Sequence, residues 1–191
     1  MITNLYMVRH AESPFVFGEE RTRGLSAEGE LEAKKVAKIM LTEKVDIIVS
    51  SPFVRSIQTI EGIAKNRNIE IKLSEELRER MIKGNYKLPW EEIVPAIEKS
   101  FIDKDYCLLG GETTRQAQER AIPIIKQVLT EHKGKNIVVG THGNIMTIIL
   151  NYFNEQYGYK FWKSTSKPDI YKLVFSDITL KEVKRIWKIG Q

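Results

Sequence analysis

The sequence predicts a three-layer α/β sandwich with a mostly parallel central sheet. Short apolar runs that suit buried strands alternate with amphipathic stretches of helical period, a pattern typical of a parallel sheet covered by helices on both faces. The chain closes with two strand-like segments joined by a tight turn, which predict a terminal hairpin. It has 191 residues, of which 42% are hydrophobic and 29% charged, and it shows no repeat, linker or low-complexity tract. We therefore expect one domain, residues 1–191.

The first half of the chain supplies three predicted strands and two predicted helices. Two apolar runs and one alternating segment have the length and pattern of strands. Between the first two strands, Ser26 is the expected N-cap of an amphipathic helix that extends to about Lys44. After the second strand, a serine and Pro52 suit the N-cap and the first position of another helix. The three strands are expected at residues 5–8, 45–49 and 69–73.

The second half supplies the clearest buried-strand pattern and the hairpin. Thr113 and Gln116 have the spacing of a capping box, which opens a long helix that Pro123 is expected to bend. A further helix is expected from about Asn144 to Phe153. The remaining strands are expected at residues 136–140, 170–175 and 178–187, the last two joined by a turn at Ser176 and Asp177.

Residues 80–110 form a long stretch without a strand pattern. Trp90, Ile97 and Phe101 belong to an apolar helical stripe, which Pro95 is expected to kink or split. An amphipathic helix here could simply cover one face of the sheet, whereas long excursions in compact domains often cover a binding site. Both interpretations stay open, and residues 80–110 are a candidate cap over the site.

Three predicted strands end close to residues that suit phosphate chemistry. Arg9 and His10 follow the first strand, Arg55 lies one turn into the helix after the second, and His142 follows the strand at 136–140. Because the carboxyl ends of parallel strands share one edge of a sheet, these four side chains are expected to converge. Helices that begin after two of these strand ends would aim backbone N–H groups at the same place.

This set of residues predicts a metal-free phosphoryl-transfer site. Arginine binds phosphate oxygens bidentately, and histidine serves as a nucleophile or as a general acid and base. The sequence offers no carboxylate cluster or cysteine pair suited to a metal, so we expect neither a metal nor a cofactor. From the residues alone, the acid that protonates the leaving oxygen is either a carboxyl group or the second histidine.

Four motifs, in their order and spacing, resemble the histidine phosphatase superfamily, which has a phosphoglycerate-mutase-like fold. The likeness extends from about residue 3 to residue 150. The motifs are Arg9-His10-Ala11-Glu12-Ser13, Ser50-Ser51-Pro52 with Arg55, Ser56, Gln58 and Thr59, Gly111-Glu112-Thr113, and Thr141-His142-Gly143.

The resemblance implies a role for each matching residue. His10 is the expected nucleophile, which becomes a phosphohistidine, and Arg9, Arg55 and His142 are expected to bind the transferring phosphate. His142 also counts as a catalytic residue. The resemblance implies that Glu79 protonates the leaving oxygen and then activates water. The motif around this acid is short, and the neighbouring alternatives are Glu75 and Glu76.

The sequence departs from the family pattern in three places. Ala11 stands where glycine is commoner in the family, which replaces one small residue by another. The family usually has an asparagine near the position of Val16, and Arg21 or Arg23 could replace its phosphate contact. A backbone N–H at Thr113 is another possible accessory contact. After Glu79 the chain lacks the Arg-His-Tyr-Gly continuation of the cofactor-dependent mutases, which favours a phosphatase.

These observations predict a metal-independent phosphomonoesterase of the histidine acid phosphatase type, which acts on a small phosphorylated molecule through a phosphohistidine. Two alternatives stay open. The first is a cofactor-dependent phosphoglycerate mutase, and the second is a non-catalytic module that binds a phosphate ligand on the same fold.

The net charge of +5 comes from the C-terminal part of the chain. Eight Lys or Arg residues and three acidic residues follow Gln156, whereas the rest of the chain has 22 of each sign. Without a nucleic-acid-binding motif, such lysines are more typical of a solvated surface, and they could also attract an anionic substrate. The single Cys107, the lack of a signal peptide and the lack of an apolar run of about 20 residues predict a cytoplasmic protein without a membrane partner.

Overall fold

The structure, a computed structural model, describes residues 1–188 and has the predicted three-layer architecture. Within this range a six-stranded sheet has the order β3-β2-β4-β1-β5-β6. β3, β2, β4 and β1 are parallel, and β5 and β6 pair antiparallel to their neighbours. The strands are β1 (Ile2–Arg9), β2 (Ile47–Ser50), β3 (Ile71–Leu73), β4 (Asn136–Thr141), β5 (Asp169–Ser176) and β6 (Thr179–Arg185). The helices are α1 (Ala27–Met40), α2 (Val54–Arg67), α3 (Trp90–Ile102), α4 (Thr114–Glu131), α5 (Gly143–Phe153) and α6 (Tyr159–Ser164).

Alternating side chains of the central strand β1 enter two separate apolar cores. Leu5 and Met7 pack with residues of α4 and α5 on one face of the sheet. Tyr6 and Val8 pack with residues of α1 and α2 on the other face. Because both faces of β1 are buried, its sequence is a continuous apolar run, as expected for a strand inside an α/β sheet.

The register of the sheet brings four chain segments to one edge. Arg9, the last residue of β1, lies opposite Thr141, the last residue of β4. On its other side Arg9 lies opposite Asp169, the first residue of the antiparallel strand β5. The end of β2 reaches the same edge, since Ser50 pairs with Gly140. This edge therefore receives the ends of β1, β2 and β4 and the loop that leads into β5.

The structure corrects several details of the predicted elements. The predicted cap of α2 at Ser51 and Pro52 is wrong, because α2 begins at Val54 and has Phe53 as its N-cap. Pro95 does not split its helix, which runs from Trp90 to Ile102. Helix α6 and a 3₁₀ turn at Glu75–Leu77 were not expected from the sequence.

Other expectations about the helices agree with the structure. Thr113 and Gln116 form a complete capping box at the start of α4, and Ser26 caps α1 by accepting a hydrogen bond from Gly29. In the part of the chain from residue 1 to 188, none of the helices has both the length and the apolar composition needed to cross a bilayer.

Candidate active site

His10 lies directly after β1, almost completely buried, and its hydrogen bond determines which ring nitrogen is free. Its Nδ1 is 2.7 Å from the carbonyl oxygen of Ala11. A carbonyl only accepts hydrogen bonds, so Nδ1 carries the proton and the lone pair is on Nε2. Burial, followed by repulsion from Arg55, holds the pKa of His10 well below its usual range. The imidazole is therefore neutral at pH 7 and has a nucleophilic Nε2.

Helix α2 fixes the backbone just after His10. The N–H of Ala11 donates a 3.0 Å hydrogen bond to the hydroxyl of Thr59, and this hydroxyl donates to the carbonyl of Arg55. Ala11 is fully buried, so a larger side chain at this position would have to displace its neighbours. One helix thus positions both the nucleophile and an arginine of the site.

Arg9 reaches across the sheet edge to the loop before β5. Its Nη1 donates to the carbonyl of Thr165 at 3.2 Å and also to the Thr165 hydroxyl. The guanidinium lies directly against Gly143, where a Cβ atom would be 2.6 Å from Cζ of Arg9. Gly143 is the first residue of α5, so the close approach of Arg9 depends on the missing side chain.

Arg55 enters the site from α2 and is 1% exposed. Its Nη1 donates to the carbonyl of Glu20 and its Nη2 to the Glu20 carboxylate at 3.0 Å, and its guanidinium lies 5.1 Å from the centre of the Phe53 ring. Burial and then repulsion from Arg23 lower the pKa of Arg55 to about 10. Arg55 therefore remains cationic at neutral pH, in spite of its burial.

His142 ends the turn between β4 and α5 and faces His10. The two ring centres are 5.2 Å apart in an edge-to-face arrangement, and Nε2 of His142 is 2.7 Å from the hydroxyl of Ser51. Burial, followed by the effect of His10, lowers the pKa of His142 well below its usual range. Ser51, expected to cap a helix, instead holds this ring.

Glu79 is bound by the first turn of α5. Its two oxygens accept hydrogen bonds from the amides of Asn144 (3.1 Å) and Ile145 (2.8 Å), and a third comes from the amide of Arg80 (2.8 Å). The N-terminal amides of α5, which we expected to face an anion from outside, thus hold a carboxylate of the protein itself. Burial lowers the pKa of Arg9, and Glu79 counteracts this effect, so the carboxylate lies within electrostatic reach of the site.

The alternative acids lie on the surface. Glu75 forms an ion pair with Arg21, with 47% of its side chain exposed, and Glu76 forms one with Arg78 at 3.6 Å. Of the three acids, Glu79 is the one tied to the helix that follows His142.

The predicted accessory residues have partners of their own. Arg21 is engaged by Glu75 at the surface. Arg23 donates to the carbonyl and the hydroxyl of Ser13 and pairs with Glu20, and its charge affects Arg55. The backbone N–H of Thr113 donates to the Gln116 side chain inside the capping box. Of the three predicted accessory residues, Arg23 is thus the one that interacts with an arginine of the site.

Sequence reasoning missed three residues that position the site, namely Ser51, Glu20 and Thr165. Ser51 was assigned to a helix cap, although its place at the end of a predicted strand put it at the same sheet edge as His142. Glu20 lies in an irregular loop, and Thr165 lies in the segment before β5. Neither of these two has a local sequence pattern that marks it.

The site also collects the buried polar atoms that have no partner. Within residues 1–188, five buried side-chain atoms lack a hydrogen bond, and all five belong to residues of this sheet edge. They are Nε of Arg9, Nε of Arg55, Oγ1 of Thr141, Nδ1 of His142 and Nδ2 of Asn144. Because buried polar groups are normally paired, this concentration indicates a site for a polar ligand. Anywhere in residues 1–188, no group of three or more His, Cys, Asp or Glu side chains is arranged to hold a metal ion.

Comparison with known proteins identifies the family of the chain. The chain matches the model of the histidine phosphatase superfamily (branch 1) over residues 5–179. Phosphoglycerate mutase-like protein 4 of Arabidopsis thaliana is 29% identical over 155 residues, 74% of this chain and 67% of that protein. Phosphoserine phosphatase 1 of Hydrogenobacter thermophilus is 27% identical over 151 residues, 74% and 71% of the two chains.

Solved structures share the fold along nearly the whole chain. Phosphoserine phosphatase of Entamoeba histolytica in complex with 3-phosphoglyceric acid superposes with a TM-score of 0.79 at 18% identity, covering 98% of each chain. The mycobacterial glucosyl-3-phosphoglycerate phosphatase gives a TM-score of 0.77 at 16% identity and covers 97% of this chain and 98% of that one.

Proposed function

The chain belongs to the histidine phosphatase superfamily and is a phosphatase, and we propose that it hydrolyses small phosphate monoesters through a phosphohistidine, without a metal ion. One observation carries the proposal. All the unpaired buried polar atoms found in residues 1–188 belong to residues at the sheet edge where His10 lies. The Nδ1 of His10 is held by Ala11, so its Nε2 is nucleophilic. The tetrahedral phosphate of an ester supplies several strong acceptors to such donors.

In the first step, the substrate phosphate binds to Arg9, Arg55 and His142. The neutral Nε2 of His10 attacks phosphorus in line, so a nitrogen–phosphorus bond forms as the ester bond between phosphorus and oxygen breaks. The two guanidiniums neutralise the charge on the equatorial oxygens. The proton of the Glu79 carboxyl group goes to the leaving oxygen, and the alcohol departs.

In the second step, Glu79 is a carboxylate and accepts a proton from water. The resulting hydroxide attacks phosphorus, the bond to His10 breaks, and inorganic phosphate is released with Glu79 protonated again. The backbone amides of Asn144 and Ile145 hold the carboxyl group in one orientation throughout. The positive charges of arginine take the part that a metal ion has in other phosphatases.

The names of the relatives support a small phosphorylated substrate. They include phosphoserine phosphatases and a phosphoglycerate mutase-like protein. The chain lacks the Arg-His-Tyr-Gly sequence of the mutases after Glu79, and we therefore favour hydrolysis over mutase activity.

We further propose that residues 80–110 form a cap over the site within one domain. The ammonium of Lys83 lies 5.6 Å from the ring centre of Phe17, so this segment meets the loop that follows the first motif. The buried guanidinium of Arg80 binds Ser100 of α3 at 2.7 Å, which ties the cap to the residue next to Glu79.

The test is turnover of a panel of sugar phosphates, glycolytic phosphates, nucleotides and phosphoserine by wild-type protein and by His10→Ala. We expect the variant to lose at least about a thousandfold in kcat/KM, because no other group replaces the nucleophile. His132→Ala, which changes the third histidine at the end of α4, is the matched control and should retain full activity. An acid-labile phosphoenzyme should form in wild-type protein alone.

Two results would contradict the proposal. Normal activity of His10→Ala would refute the phosphohistidine intermediate. Loss of activity in EDTA, restored by a divalent cation, would refute metal independence. A bisphosphate primer that causes interconversion of phosphoglycerates, in place of phosphate release, would identify a mutase.

A further inference from the structure

Lys167 lies in the loop that joins the site to β5. Thr165, two residues earlier, binds the guanidinium of Arg9. Asp169, two residues later, lies opposite Arg9 in the sheet. The chain between these two points therefore passes along the same sheet edge as His10.

Hydrogen bonds hold this loop on both sides of Lys167. The amide of Ser166 donates to the Asp169 carboxylate at 2.9 Å, and its hydroxyl donates to the carbonyl of Pro168 at 2.7 Å. Arg185 of β6 donates to the same hydroxyl at 3.0 Å and pairs with Asp169 at 2.7 Å. Hydrogen bonds thus hold the backbone on both sides of Lys167.

The ammonium of Lys167 has no partner of its own within residues 1–188. Lys172, on the next strand, pairs with Glu43 at 3.2 Å, and Lys163 lies over the ring of Tyr159. Lys167 has no comparable ion pair, hydrogen bond or aromatic contact. Glu12 acts on Lys167 electrostatically, without an ion pair between them in the described part of the chain.

The surroundings of Lys167 are cationic. Partial burial of the ammonium lowers the pKa of Lys167, although other parts of its side chain are exposed, and repulsion from Arg9, Arg23 and Arg55 lowers the pKa further. Lys167 in turn contributes to the low pKa of His10. The ammonium is therefore close enough to these site residues to interact with them electrostatically, and an anion bound among them would relieve the repulsion.

The depth of these cations separates their roles. Arg55 and Arg9 are 1% and 9% exposed and form the floor around the transferred phosphate. Lys167 is solvent-exposed and stands at the rim, where the leaving part of the substrate would lie. We propose that Lys167 is the specificity-determining residue of the pocket and binds a second anionic group, a carboxylate or a further phosphate, on the substrate. This inference rests on the proposed phosphatase function.

The test compares matched substrates. The pair 3-phosphoglycerate and glycerol 3-phosphate differs by a carboxylate against a hydroxymethyl group, and fructose 1,6-bisphosphate and fructose 6-phosphate differ by one phosphate. We expect wild-type protein to prefer the doubly anionic member of at least one pair, and that pair identifies the group. The preference is the kcat/KM of the doubly anionic substrate divided by that of its partner. In Lys167→Ala this ratio should fall by about tenfold to a hundredfold, the effect of one lost charged hydrogen bond.

Two variants keep the test sharp. Lys167→Arg, which preserves the charge, should retain most of the preference, and Lys181→Ala, which removes an equal charge from the exposed strand β6, should retain all of it. The inference is wrong if wild-type protein prefers neither doubly anionic substrate, or if Lys167→Ala leaves the ratio unchanged. It is also wrong if both members lose activity equally, because Lys167 would then bind the transferred phosphate. Absence of turnover on all four esters and on the wider panel of phosphate esters would instead contradict the proposed hydrolysis itself.

Discussion

Substitution of Gly143 by alanine tests whether the position of Arg9 controls activity. The new Cβ atom would lie 2.6 Å from Cζ of Arg9 and 2.8 Å from its Nε and Nη2. Ordinary contacts begin at about 3.4 Å, so the guanidinium must withdraw by roughly 1 Å in a close-packed interior. It cannot do so and keep its 3.2 Å hydrogen bond to Thr165. A displacement of this size at a reacting group reduces kcat/KM by about a hundredfold.

The folded state should tolerate the same change. Gly143 has no positive φ and lies in a helix, where alanine is the better helix former by up to about 1 kcal/mol. We therefore expect a melting temperature within a few degrees of wild type, together with weaker inhibition by inorganic phosphate. Gly158→Ala is the matched control, because its Cβ would meet only Phe101 at 3.9 Å. If Gly143→Ala keeps kcat/KM within about threefold of wild type, the argument from close approach is refuted.

Further predictions concern the acid and the two histidines. Glu79→Gln should lower kcat by about a hundredfold with an alkyl phosphate but far less with p-nitrophenyl phosphate, whose leaving group needs no proton. The control Glu76→Gln should behave as wild type. Equal losses of kcat on both substrates in Glu79→Gln would disprove the acid role of Glu79. Because the folded-state pKa values of His10 and His142 are lowered, the unfolded chain binds more protons below about pH 6.5, and the free energy of unfolding should fall as pH is lowered from 7 to 5. Urea denaturation measures how the free energy of unfolding changes with pH, at most about 1.4 kcal/mol per pH unit for each histidine. His10→Asn should reduce this pH dependence. An unchanged pH dependence would show that burial of His10 does not hold it neutral.

Local pattern was enough to predict the parallel part of the sheet and the residues at its ends. Buried apolar runs identify strands on their own, and a parallel sheet must bring the carboxyl ends of its strands together. Arg9 and His142 therefore meet at one edge, as the pairing of Arg9 with Thr141 shows. The capping box of Thr113 was predictable for the same reason, since its two hydrogen bonds span only four residues.

The contacts that position these residues depend on strand order, which local pattern does not contain. Thr165 meets Arg9 because β5 pairs antiparallel with β1, across more than 150 positions of sequence. Ser51 meets His142 because β2 lies next to β4. For the same reason Lys167 was counted with the solvated lysines of the C-terminal part, although its loop lies at the site.

The pairing of Arg55 with Glu20 shows how such a cationic site remains stable and still binds phosphate. A guanidinium that is 1% exposed needs a partner, because an unpaired buried charge is costly. Glu20 supplies a carboxylate at 3.0 Å, but 46% of its own side chain is exposed. Water can therefore solvate Glu20 if a phosphate displaces it, whereas Arg55 exchanges one anion for a more highly charged one. Because of this asymmetry in burial, Glu20 competes weakly with a phosphate for Arg55. The loop that contains Glu20 thus neutralises the site without blocking it.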